Sequence, residues 1–141
     1  MTAREYLNQA YRLEQRMALD RERLKDLRAL SLSVSSPGLE PRYNPNCPTE
    51  APFVNIVHRI VDQEEKVARE LRMLVKLKIE IQEVIDRLSD ADERLVLTYR
   101  YLKSMSWSQI ADRLYVNERT VRRWHSSGLS HIRIPENPTI V

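Results

Sequence analysis

Apolar residues recur along the first quarter of the chain at alternating steps of three and four: Ala3, Tyr6, Ala10, Leu13, Met17, Leu24 and Leu27, with Asp20 filling the one polar position of the series. This heptad spacing collects a stripe on one face of a helix, and it predicts a helix from about Thr2 to Ser33. Thr2, with Glu5 three residues on, fits a capping box at its start. A second stripe runs through Phe53, Val57, Ile60, Glu64, Val67, Leu71, Leu74, Lys78, Ile81, Ile85 and Leu88. It predicts a helix from about Phe53 to Leu88, interrupted at Glu64 and Lys78 and widened by Val61, Leu77 and Val84. Five of the seven prolines fall between the two stripes, in Ser35–Pro52. Proline lacks the amide donor and clashes with the preceding helical turn, so residues 34–52 are read as an extended, solvent-exposed linker. The two long segments then form an antiparallel helical hairpin with coiled-coil character, over residues 1–88.

Beyond Asp90 the texture changes to three short helical units, each opened by a capping signal. Asp90 with Glu93 opens the first, Ser106-Trp107-Ser108-Gln109 the second, and Asn117 the third. The stretch from Gln109 to Trp124 has the pattern of a helix-turn-helix. Ala111 is the small residue that the helix crossing needs. Ile110, Leu114, Val116, Val121 and Trp124 have the spacing of an inward face, so Trp124 is a core anchor. The turn is placed at about Tyr115–Asn117. Glu118, Arg119, Arg122 and Arg123 point outward from the second helix, and Ser126 continues that face. The reading is all-α: hairpin at 1–88, helix-turn-helix domain at 89–134, and a tail at 135–141.

The residues from Leu88 to Pro135 resemble region 4 of bacterial sigma factors. The matching elements are Glu93-Arg94-Leu95-Val96-Leu97, Arg100-Tyr101-Leu102, Ser108-Gln109-Ile110-Ala111, Val116 through Arg122, and Gly128 through Arg133. The chain as a whole is similar to phage and prophage regulators of the ArpU/RinA type. Those carry a helical, coiled-coil-like N-terminal half and a sigma-like helix-turn-helix; Ala3-Arg4-Glu5-Tyr6-Leu7 and Tyr11-Arg12-Leu13-Glu14 resemble their opening. Two positions depart from the pattern. Tyr115 stands where many such turns place glycine, at a cost of about 1 kcal/mol if the backbone is left-handed. Gly128 replaces the usual alanine of the last helix, which weakens its final turns.

The resemblance makes Glu118, Arg119 and Arg123 the base readers. Arginine pairs with the O6/N7 edge of guanine, and glutamate accepts from cytosine N4. Arg122, Arg100 and Ser108 suit phosphates, and Asn117, Thr120 and Ser126 complete the DNA-facing set. Charge supports this placement. The net charge of +3 is uninformative as a total, but Arg94–Arg133 holds eight basic and two acidic residues, whereas Phe53–Leu88 holds seven of each. The excess sits on the unit that would enter the major groove.

Other chemistries are excluded on composition. Two glycines leave no room for a phosphate-cradling loop, and one cysteine, Cys47, excludes an intrachain disulfide. Cys47 has no charge partner or further ligand near it in sequence and reads as a bland loop thiol. His58, His125 and His131 share no metal-ligand spacing. Asp90, Asp92 and Glu93 are explained by capping and helix-dipole compensation. No catalytic constellation, cofactor or metal is expected, nor a signal peptide or membrane span. Leu19, Leu30, Leu32, Val61 and Leu77 lie beside the seams and would stay exposed on a lone hairpin, which predicts a homodimer through the N-terminal helices. The expected function is a sequence-specific, double-stranded-DNA-binding transcriptional regulator, phage- or prophage-encoded. It would act in the bacterial cytoplasm at the nucleoid and contact host RNA polymerase. The alternatives are a small-terminase-like DNA-packaging adaptor, or a coiled-coil protein that docks on polymerase without binding DNA.

Overall fold

The computed structural model describes residues 1–34 and 51–141, and its elements are α1 (Ala3–Val34), α2 (Ala51–Asp86), α3 (Ala91–Leu97), a π-helical turn (Thr98–Leu102), α4 (Trp107–Leu114) and α5 (Glu118–His131). No strand occurs among the described residues, and the all-α reading holds. Residues 35–50, Cys47 included, lie outside the described residues, and with them most of the expected linker. α2 starts at Ala51, so Pro52 falls in its first turn, where a missing amide breaks no helical bond.

The helices start where the capping signals fall. The Thr2 amide donates to Glu5 Oε2 at 2.9 Å and the Glu5 amide to Thr2 Oγ1 at 3.2 Å, the reciprocal pair of a capping box. Every apolar member of the α1 stripe from Tyr6 to Leu24 is buried, and so is Asp20; Ala3 and Leu27 are half-buried. The α2 stripe needs correction. Phe53, Val57 and Leu71 are exposed, whereas Ile56, Glu70, Leu74, Leu77, Ile81, Val84, Ile85 and Leu88 are buried. From Leu74 to Leu88 the apolar residues of the expected seam are buried, with Leu77 and Val84 widening it; the correction applies to the first half of α2, where Ile56 and Glu70 are buried in place of Phe53, Val57 and Leu71. Leu77, expected to remain outside, is fully buried. Both faces carry apolar residues at helical spacing, so periodicity alone does not choose between them.

The chain divides into two compact units. One is Met1–Glu14 with Arg72–Val141; the other is Gln15–Leu71. In the first, the opening turns of α1 run against the end of α2. Tyr6 Oη donates to Glu80 Oε1 at 2.6 Å, and Lys78 pairs with Glu14. Burial and the Glu80 carboxylate together push the Tyr6 phenol pKa up. The last residues are not a loose tail. Thr139 donates to Glu80 through its amide (3.1 Å) and hydroxyl (2.5 Å), and Gln9 bonds the backbone of Thr139 and Val141 at 3.1 and 3.0 Å. Burial works to raise the Glu80 carboxyl pKa, but these donors outweigh it and hold Glu80 ionised.

The second unit has a thinner core. Its buried apolar residues, among those described, are Met17, Leu24 and Ile56, while Leu19, Leu30, Val54, Val57, Val61 and Leu71 are exposed. Its helices also pair antiparallel. Lys66 Nζ lies 3.2 Å from Asp20 Oδ1, Gln63 Nε2 donates to the Asp20 carbonyl at 2.8 Å, and Arg28 meets Glu64 at 2.9 Å.

Candidate nucleic-acid interface

The C-terminal helices are short, and short helices need their ends satisfied. Asp90 caps α3 by accepting from the amides of Asp92 and Glu93 at 2.8 and 3.3 Å. Glu93 does not return the bond as a capping-box partner. Its carboxylate is buried and reaches across to α5, accepting from Ser127 Oγ at 2.6 Å and meeting His131 Nδ1 at 3.1 Å. Gly128 makes this approach achievable. A Cβ there would sit 3.0 Å from Leu97 Cδ1 and 3.3 Å from Glu93 Cβ. The glycine that reads as a weakness of the helix is the point where α3 and α5 touch.

The π-helical turn carries Arg100 and Tyr101 into the domain. The Arg100 guanidinium donates to the Met105 carbonyl at 3.0 Å and stacks 4.3 Å above the Trp107 ring. Buried His125 lies edge-on to Trp107 at 4.7 Å and is bonded through Nε2 to Tyr101 Oη at 2.6 Å. Burial, then the charges of Arg4 and Arg100, bring the His125 pKa down to about 4. Burial raises that of Tyr101, with Arg4 and Arg100 opposing. The pair is therefore neutral and structural.

α4 opens with a complete capping box. The Gln109 amide donates to Ser106 Oγ at 3.2 Å, and the Ser106 amide to Gln109 Oε1 at 2.9 Å. It closes on Tyr115, whose φ of 56° and ψ of 41° are left-handed. Tyrosine thus makes the turn where glycine is common, and its side chain is 95% exposed, so no packing compensates the strain. Val116 and Asn117 complete the turn. Asn117 Oδ1 then accepts from the Thr120 amide and hydroxyl, both at 2.8 Å, and caps α5. The core beneath is Val96, Ile110, Ala111 and Val121, with Leu114, Val116 and Trp124 packed against it, together with Tyr99, Met105 and Trp107. The expected inward face and the anchoring role of Trp124 match this packing.

The expected DNA-facing residues divide into two groups. Ser108, Asn117, Glu118, Arg119, Arg122, Arg123 and Ser126 are exposed, all but Ser108 and the cap residue Asn117 within α5. Arg119 and Arg123 line one concavity with Asn117 and Thr120 at the start of that helix. Arg122 faces Glu118 one turn back, 3.8 Å away and solvent-exposed. Asn117 and Thr120 are bound to each other in the cap. Arg100 is engaged with Met105 and Trp107, in a bracing position. Sequence reasoning missed the brace of Arg100, Tyr101, Trp107 and His125, as well as the clasp of Glu93 on α5. It also missed Arg4, which comes from the far end of the chain. Arg100 and Tyr101 stand in a motif already singled out, but nothing local in sequence pairs them with residue 107 or 125.

Among the described residues, no helix is long and apolar enough to cross a membrane, and no group of three or more His, Cys, Asp or Glu is placed to hold a metal ion. Residues 84–133 match the family model described as sigma-70, region 4. The match begins in the last turn of α2 and ends just past α5. No curated protein and no solved structure matches the chain.

Proposed function

From a sigma-70 region 4 helix-turn-helix domain at residues 84–133, the DNA-binding part of this chain, we propose a sequence-specific transcriptional regulator that reads promoter-proximal DNA through α5. The carrying observation is the exposed α5 face, with Arg119 and Arg123 beside the capped N-terminus over a packed helix-turn-helix core. The N-terminal half of a recognition helix is the part that reaches base edges in the major groove. Arg119 and Arg123 read bases, Glu118 accepts from cytosine, and Arg122, Ser108 and Ser126 meet phosphates. Asn117 and Thr120 line the same concavity while capping α5 and complete the DNA-facing set, and Arg100 braces it by holding the π-helical turn. The regulator acts on host RNA polymerase from its DNA site, belongs to a phage or prophage, and works as a homodimer through α1 and α2. The thin core and exposed leucines and valines of Gln15–Leu71 support the dimer.

A mobility-shift titration over promoter fragments, with salt varied, tests the reading. Arg119→Ala and Arg123→Ala are each expected to cost about 1–3 kcal/mol at one base pair and relax preference there. Arg122→Ala should weaken all sequences alike and lower the salt slope by about one. Unchanged affinity and specificity in the Arg119→Ala/Arg123→Ala double variant would overturn the assignment. A wild-type chain that shifts no DNA yet retains polymerase would leave a docking protein in its place.

A further inference from the structure

We propose that the cleft where the end of α2 meets the end of α5 binds a small phosphorylated anion. The cleft shares no residue with the DNA-facing set, so the inference does not rest on the reading of α5. It holds about 380 Å³ and is lined by Val84, Arg87, Leu88, Ser89, His131 and Arg133. That volume suits a small molecule and is too small to take in a duplex. Val84 and Leu88 are buried and give the cleft its apolar part, while Arg87, Ser89, His131 and Arg133 are exposed.

The charge in this lining has one sign, and no acidic residue belongs to it. Among the described residues neither Arg87 nor Arg133 has an ion pair or a side-chain hydrogen bond, so both guanidiniums keep their donors. Acids near in sequence are held elsewhere. Asp86 accepts from Gln82, Asp90 caps α3, and Glu93 takes Ser127 and His131. The Leu88 carbonyl accepts from the Arg94 guanidinium, which puts a further cation beside the cleft. Phosphate is the chemistry that this set fits. Arg87 follows α2 and Arg133 follows α5, so their forks come from separate parts of the chain. A carboxylate fills one such fork, whereas a phosphoryl group has oxygens for both and one more for the Ser89 hydroxyl. His131 ties the site to the fold. Its Nδ1 meets the buried Glu93 carboxylate at 3.1 Å, so an anion in the cleft bears on the clasp between α3 and α5. An anion held by both arginines joins the two helix ends and stabilises the unit in proportion to its occupancy.

The test is calorimetric titration of the full chain with inorganic pyrophosphate, without DNA and at constant ionic strength. Wild type should take up one pyrophosphate per chain, saturably. Arg87→Ala and Arg133→Ala should each bind at least about ten-fold more weakly. Arg12→Ala, which removes an exposed arginine outside the cleft, should bind as wild type does. Both cleft arginines are exposed, so neither substitution should move the unfolding midpoint read by tryptophan emission when pyrophosphate is absent. With pyrophosphate the midpoint should rise in wild type and stay in place in the two variants. No saturable uptake by wild type, or equal uptake by both variants, would overturn the site. Weakened DNA binding in those variants, beside a wild-type chain that takes up no pyrophosphate, would give the cleft to a phosphate of the duplex and overturn it too. A chain that binds pyrophosphate in this way and shifts no DNA would refute the reading of α5 and leave this site standing.

Discussion

The two units treat buried polar groups in opposite ways. In Met1–Glu14 with Arg72–Val141, each buried polar side chain has found a partner. Glu93 holds Ser127 and His131, His125 holds Tyr101, and Gln9 holds Thr139 and Val141. In Gln15–Leu71, Glu70 is buried and neither of its carboxylate oxygens meets a donor, although it lies within hydrogen-bonding reach of Asp20. Burial and then Asp20 push the Glu70 pKa up. Burial pushes on Asp20 in the same direction, but hydrogen bonds from Glu70, Lys66 and Gln63, with the Lys66 charge, outweigh it and bring its pKa down. A buried charge with no partner costs far more than a paired one. The first unit satisfies its buried polar side chains, whereas the second leaves the Glu70 carboxylate without a donor and much apolar surface exposed.

Three variants and one change of pH sharpen or break this contrast, and both tryptophans, Trp107 and Trp124, stand in the DNA-binding unit, so their fluorescence reports it alone. The largest effect is expected from Ile110→Ala. Ile110 is fully buried at the centre of the helix-turn-helix core, so its truncation should cost about 2–5 kcal/mol. Tryptophan emission should shift at lower denaturant while part of the helical circular dichroism persists; coincident loss of both signals would refute independent units. Acidification comes next. The His125 pKa is depressed in the fold, to about 4 from 6.5, so its contribution is present above pH 6.5 and lost as pH falls toward 4. Stability of the tryptophan-reported transition should drop by on the order of 2 kcal/mol across that window, and a flat profile would show His125 to be solvated.

Glu70→Gln probes the other unit with the opposite sign. The pKa of Glu70 is raised in the fold, so its contribution is present below the unfolded value of 4.5 and lost as pH rises through the folded one. A glutamine amide donates to Asp20 without a proton to lose. The variant should gain about 1–2 kcal/mol over wild type at alkaline pH, in helical signal but not in tryptophan emission. A destabilised variant at pH 8 would mean that Glu70 is ionised and paired. The smallest change is Tyr115→Gly. It relieves a left-handed tyrosine that packs on nothing and should raise the melting temperature by up to about 1 kcal/mol equivalent. Lower stability would place the tyrosine ring in a contact that offsets its backbone.

How far each feature was legible depends on the range of the interaction that makes it. Thr2–Glu5, Ser106–Gln109 and Asn117–Thr120 are contacts within one helical turn, and all three are readable from spacing. So is the inward face of Ile110, Ala111 and Val121, because a steep helix crossing imposes its own pattern. The buried side of α2 was read correctly from Leu74 to Leu88 and misjudged before that. Two apolar faces share its first half, and only contact with α1 chooses Ile56 over Phe53 and Val57. Of the expected DNA-facing set, the exposed arginines follow from the α5 pattern. The occupation of Arg100 by Trp107 and Met105 does not, because it depends on a π-helical turn that no local signal announces.

Sequence alone determined the all-helical class, the capped starts of the short helices, the turn at Tyr115 and the basic outer face of α5. Each follows from backbone preference, periodicity or charge within a few residues. Tertiary structure decided the rest. It joined the first turns of α1 and the last residues of the chain to the DNA-binding unit through Tyr6, Gln9 and Glu80. It turned Gly128 from a weak helix residue into a helix contact, and it set Glu70 beside Asp20 in the hairpin. These are pairings between residues tens of positions apart, and their energy exists only once burial has removed water from both partners.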